Sequence, residues 1–149
     1  MTTAPHPHLL DDSEIPALLA RTKRIAVLGI KTPAQAGQPA FEVPRYLDAA
    51  GFEIVPVPVY YPEVTLILGK PVFRRLVDIP GPIDLVDIFR RPVDLEAHFE
   101  DIVTKHPSAI WLQSGIRNDA FAERVAAAGI DVVQDRCLMV EHRRWRGPG

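Results

Sequence analysis

The chain has 149 residues and a formal net charge of −2, which suits a single hydrophobic core and gives no general attraction to nucleic acid or an anionic membrane. One cysteine excludes an intramolecular disulfide framework, and no run of about 18 apolar residues offers a membrane-spanning helix. The 15 prolines fall mostly between apolar runs and so mark loops.

The expected organisation is a lead-in over 1–12, one domain over 13–145 and a tail over 146–149. Met1 to His8 carry no basic, apolar and small-residue pattern of secretory type, so a cytoplasmic protein is expected. His6 and His8 are read as solvated residues, because a metal site needs more convergent ligands. Asp11-Asp12-Ser13-Glu14 precedes Ile15, Leu18 and Leu19, which predicts a short capped helix over one edge of a sheet. Ile25-Ala26-Val27-Leu28 then runs into Gly29, the pattern of a central parallel strand ending in a turn.

After a loop, Val43, Tyr46, Leu47 and Ala50 recur at helical spacing up to Gly51. A helix tolerates Pro44 in its first turn, which predicts a start near Phe41 or Glu42. Strand, glycine turn and helix N-terminus together form a place where backbone N–H groups can hold a phosphate. Phe52 to Val57 reads as the second strand, Ile83 to Phe89 as the third, Ser108 to Leu112 as the fourth and Ile130 to Val133 as the fifth. Helices are predicted over 74–79, 93–105, 118–128 and 136–145. The alternation predicts a single α/β domain of Rossmann-like, doubly wound type: a five-stranded parallel sheet in the order 3-2-1-4-5, with helices on both faces and a switch point between strands 1 and 4.

Polar residues recur beyond the carboxyl ends of the strands: Lys31 after the first, Arg90 and Arg91 after the third, Gln113, Ser114 and Arg117 after the fourth, Arg136 after the fifth. That edge carries the ligand crevice in open α/β sheets, so the recurrence points to an anion site. The site lacks two marks of NAD binding: Gly29-Ile30-Lys31 is not G-x-G-x-x-G, and Pro58-Val59-Tyr60 follows the second strand where a ribose-binding carboxylate belongs. A ligand with more phosphate charge and an apolar arm fits better. Trp111 is read as strand core and His142 as structural, since Cys137, Glu141 and His142 do not share one helix face. Cys137 is expected at the ligand edge, near the start of the last helix. A helix N-terminus and Arg136 would there favour its thiolate and a mixed disulfide with a thiol ligand, although packing as a small inert hydrophobe is the preferred reading.

The stretches Ile25 to Gly29, Val43-Pro44-Arg45-Tyr46-Leu47, Leu68-Gly69-Lys70-Pro71-Val72-Phe73, Val86-Asp87-Ile88-Phe89-Arg90, Trp111 to Ile116 and Asp135 to His142 span nearly the whole chain. In order and spacing they resemble the small stand-alone CoA-binding proteins, whose domain is similar to the N-terminal CoA-binding domain of the succinyl-CoA synthetase α subunit. The resemblance implies coenzyme A or an acyl-CoA as ligand. It places the phosphates at Gly29, Ile30, Lys31 and Thr32, the nucleotide flank at Pro58, Val59 and Tyr60, and a further contact at Leu112, Gln113 and Ser114. Phe89, Arg90, Arg91 and Arg136 complete the expected site. Lys31 stands where many relatives have Ser, and Pro58 where they commonly have Asn. A lysine adds a point charge, whereas loss of Asn removes a directional donor and acceptor.

The resemblance also implies binding without turnover, because the chain has no room for the phosphohistidine domain of the synthetases. An NAD(P)-binding oxidoreductase and an interaction subunit with a vestigial nucleotide site are the alternatives.

Overall fold

The computed structural model describes residues 6–147. Residues 1–5 of the expected lead-in and 148–149 of the expected tail lie outside the described residues. Asp11 caps the first turn with its side chain while Glu14 returns the bond to Asp11 N–H, and α1 (Ile15–Ala20) follows. The sheet strands are β1 (Arg24–Leu28), β2 (Glu53–Val57), β5 (Leu85–Ile88), β6 (Ala109–Leu112) and β7 (Asp131–Val133). The helices between and after them are α2 (Pro39–Ala49), α3 (Phe99–Lys105), α4 (Asp119–Ala127) and α5 (Leu138–Arg146).

All five sheet strands are parallel, as expected, and each residue of β5 and β6 is buried. Alternation along the strands builds two apolar layers. Ile25, Val27, Ile54, Leu85 and Trp111 pack under α1, α2 and α5; Ala26, Val55, Val86, Ile88 and Ile110 pack against α3 and α4. Trp111 is core, with its indole N–H donating to the Arg136 carbonyl at 2.7 Å.

The strand order corrects the expectation. The sheet runs β2-β1-β5-β6-β7, which in the sequence numbering of the strands is 2-1-3-4-5, not 3-2-1-4-5. Pro56 supplies the physical reason. Its carbonyl points away from β1 and accepts the Phe73 N–H at 3.0 Å. In a parallel strand a residue's N–H lies on the same side as its carbonyl, so the outer flank of β2 lacks a donor at this proline and suits only an edge. The third strand therefore crosses to the far side of β1. The switch point moves with it, from strands 1 and 4 to β1 and β5.

The chain between β2 and β5 contains a small antiparallel ribbon absent from the sequence reading, β3 (Leu66–Ile67) and β4 (Lys70–Pro71). Leu68 and Gly69 make its turn, both at positive φ. The helix expected over 74–79 is a single 3-10 turn, Leu76–Asp78, and the helix expected over 93–105 divides into 3-10 helix Pro92–His98 and α3. At the other edge His8 and Leu10 bond to Val132, and the His8 ring meets Asp131 at 2.6 Å, so this part of the lead-in is docked rather than solvated.

Candidate functional site

β1 ends at Gly29, whose φ of +87° is one that L side chains rarely adopt. A Cβ there would collide with the Phe89 carbonyl oxygen and stand 3.1 Å from its carbon. Glycine thus allows the loop after β1 to lie directly on the loop after β5, at the switch point. Gly29 N–H also donates to Val57 at 2.9 Å, tying the turn to β2.

The next residues are held by α2. This helix begins at Pro39, two residues before the expected start, and places Pro44 in its second turn instead of its first. An interior proline removes the bond that its N–H would give to the carbonyl four residues earlier, here Ala40. The helix tolerates the loss because the Ala40 carbonyl accepts the Lys31 N–H at 3.0 Å. Lys31 Nζ donates to Gln38 Oε1 at 2.5 Å, and Thr32 caps the 3-10 turn Pro33–Gln35.

The expected phosphate cradle of backbone N–H groups is therefore largely occupied. Gly29, Lys31 and Thr32 N–H bond within the protein, as do Phe41 and Glu42 N–H to the Gln38 carbonyl and Gly37 N–H to the Glu42 carboxylate. Positive charge at this edge comes from side chains.

A cleft of about 350 Å³ opens beyond β1 and β5. Lys31, Arg90 and Arg91 supply its cations, Pro39, Phe89, Pro92 and Ile116 its apolar surface, and Gln38 a neutral polar group. Arg90 donates to His98 Nε2 at 3.1 Å, with the Tyr60 hydroxyl at 3.4 Å from Nη1 and the Tyr60 ring 5.8 Å from its guanidinium. Burial, and then the charge of Arg90, hold the His98 pKa below its ordinary value, so the ring is an acceptor for Arg90 at neutral pH. Arg91 bonds to Asp94 at 2.8 Å and leaves its side chain 77% exposed. Arg74 fixes the segment carrying Tyr60 through the carbonyls of Tyr60, Tyr61 and Val64.

Of the residues expected at the site, Lys31, Phe89, Arg90 and Arg91 line this cleft, and Tyr60, which is exposed, joins it through Arg90. Gly29 and Thr32 shape the loop. Ile30, Pro58, Leu112 and Gln113 are buried, and Val59 packs against the core; Gln113 Oε1 accepts the Leu138 N–H at 3.1 Å and so sets the start of α5. Ser114 is exposed beside Gly115. Arg136 does not join the group. It pairs with Asp12 at 3.0 Å in a separate cleft that also takes Arg117, because β7 lies two strands away from β5. Cys137 is half-buried at the N-cap of α5 and packs on the core.

His142 lies outside this cleft, near the amino ends of the strands. It is buried, its Nδ1 is 2.8 Å from the Tyr46 hydroxyl, and burial and then Arg146 lower its pKa. No group of three or more His, Cys, Asp or Glu residues placed to hold a metal occurs among the described residues.

Sequence reasoning missed Gln38, Pro39, Ala40, Pro92, Ile116 and His98. Pro39 was the available signal, since proline is favoured at the first position of a helix.

These features define a doubly wound α/β domain with a cationic, apolar-floored cleft at its switch point. The chain belongs to a CoA binding domain family, whose model matches residues 23–143. It is 32% identical over 130 residues to the uncharacterized protein YneT of Bacillus subtilis, covering 87% of this chain and 93% of that protein. It is similar to the structure of cell-free ID.343 from Thermus thermophilus, with 40% identity, 91% of this chain and 99% of that chain covered, and a TM-score of 0.82. An acetyl-coenzyme A synthetase of Ca. Korarchaeum cryptofilum shares the fold at 16% identity and a TM-score of 0.62, with 74% of this chain lying on 25% of that one.

Proposed function

We propose that this protein binds coenzyme A or an acyl-CoA in the switch-point cleft and does not turn it over. The carrying observation is the convergence of Lys31, Arg90 and Arg91 on an apolar surface of Phe89, Pro39 and Ile116, in a chain of this family. Cations of this kind suit the phosphates of CoA, and the apolar surface suits its pantetheine arm. Gly29, Ile30, Lys31, Thr32, Tyr60, Phe89, Arg90 and Arg91 form the proposed site, with Pro58, Val59, Leu112, Gln113 and Ser114 supporting it. Arg136 is left out because Asp12 holds it elsewhere. The end of β2 gives Pro58-Val59-Tyr60 and no carboxylate for a nicotinamide dinucleotide ribose. His98 and Asp94 are engaged by the two arginines, which supports binding without an acid-base pair.

Calorimetric titration with CoA, dephospho-CoA and NAD, paired with melting curves, tests this reading. CoA at about 100 times its dissociation constant should stabilise the fold by about 2.7 kcal/mol. A larger stabilisation by NAD would overturn it, and no response to any of the three would favour the interaction subunit.

A further inference from the structure

We infer that Pro44 is a positioning residue for the ligand loop: by leaving the Ala40 carbonyl without its helical donor, it makes that carbonyl the anchor for Lys31. The inference rests on the CoA reading of the cleft for its functional consequence, while the anchoring itself stands on geometry. Pro44 is buried in the second turn of α2, where proline ordinarily costs a helix stability. A proline ring inside a helix also crowds the carbonyl four residues back. That carbonyl, on Ala40, accepts the Lys31 N–H at 3.0 Å, and Ala40 itself lines the cleft.

Lys31 is consequently held twice at the start of α2, by its backbone on Ala40 and by its ammonium on Gln38. Two residues earlier the same loop is fixed by a different element, through Gly29 N–H on Val57. The loop is stretched between the sheet and the helix, and Pro44 governs the helix end. With alanine at 44, a new N–H would draw the Ala40 carbonyl back along the helix axis and compete with Lys31.

The test is Pro44→Ala in the full chain, read by amide hydrogen exchange, thermal unfolding and CoA titration. The expected result is a melting temperature equal to or above wild type, Lys31 N–H exchange at least tenfold faster with Gly29 N–H unchanged, and CoA binding about tenfold weaker. Loop protection and global stability would then move apart, which a purely structural role for Pro44 would not produce. Unchanged Lys31 exchange relative to Gly29 would overturn the anchoring, and faster exchange with unaltered CoA affinity would overturn its role in ligand positioning. Should the wild-type protein bind no CoA, the ligand reading falls on that result, and the exchange ratio alone decides the anchoring.

Discussion

Arg24 and Lys105 at the amino end of the central sheet take a different kind of partner from the three cleft cations at its carboxyl end. At the amino end, Arg24 donates through Nη1 to the carbonyls of Pro80 at 2.7 Å and Pro82 at 3.2 Å, while Nε pairs with Glu53. Lys105 likewise donates to the carbonyls of Ile79 and Gly81. At the carboxyl end, Lys31, Arg90 and Arg91 contact only side chains: Gln38, His98, Tyr60 and Asp94. A cation bonded to backbone carbonyls holds a loop in place and has no substitute partner. A cation bonded to a mobile amide or phenol can exchange that partner for a phosphate. Partner type thus sets Arg24 apart from Arg90 and Arg91, the arginines of the proposed site.

A third situation lies between the two ends and sharpens the contrast. The Asp87 carboxyl is fully buried in β5, between Val27 and Trp111, with neither oxygen hydrogen-bonded. Burial alone drives its pKa far above the ordinary carboxylate value, so the folded protein holds the proton that the unfolded chain releases near pH 4. Between these two pKa values the unfolded state binds fewer protons, and stability falls as pH rises, by about 1.4 kcal/mol per pH unit. This is the largest effect expected. Urea unfolding at stepwise higher pH, starting from pH 5, should show stability falling in the wild type and lose that fall in Asp87→Asn. Equal slopes in both proteins would mean that Asp87 is ionised in the fold.

Gly29→Ala should come next, at about 2 to 4 kcal/mol of stability, because it combines positive φ with a collision against backbone. The amino end has its own positive-φ glycine, Gly81, where a Cβ meets only the end of the flexible Arg24 side chain at 3.4 Å. Gly81→Ala should cost about 1 kcal/mol. Chemical denaturation of the two variants ranks them, and an equal cost would remove the special status of the switch-point contact.

Charge removal gives the smallest and most diagnostic pair. Lys31→Ala and Arg90→Ala should each weaken CoA binding by about 1 to 3 kcal/mol with the fold retained. Arg24→Ala should lower stability by about 1 to 2 kcal/mol and leave CoA affinity as it was. Titration and denaturation on all three check the split, and a fall in CoA affinity for Arg24→Ala would erase the distinction between the two ends.

The strands were legible because each is an apolar run bounded by Gly, Pro or a charged residue, a pattern local to the chain. Their order is a long-range property, and the one residue that carried it, Pro56, was read as part of a strand and not as the mark of an edge. The ribbon of β3 and β4 was hidden because Leu68-Gly69 is not a common turn pair. Cleft-lining residues were legible where charge follows a strand that reaches the switch point, as for Lys31, Arg90 and Arg91. Arg136 follows the same rule on paper but comes after the outermost strand, β7, so its expected place in the cleft descends from the error in strand order. His98 and Asp94 could not be found from spacing, since they meet the arginines only through the 3-10 helix Pro92–His98 that replaced an expected α-helical turn.

The segment His8 to Leu10 does more than extend the sheet by one bridge. It occupies the outer flank of β7 at Val132, while on the outer flank of β2 the Pro56 carbonyl accepts the Phe73 N–H. Each rim is thus engaged at one residue, Val132 on β7 and Pro56 on β2, which shortens the row of amides and carbonyls open to a neighbouring strand and so works against edge-to-edge pairing.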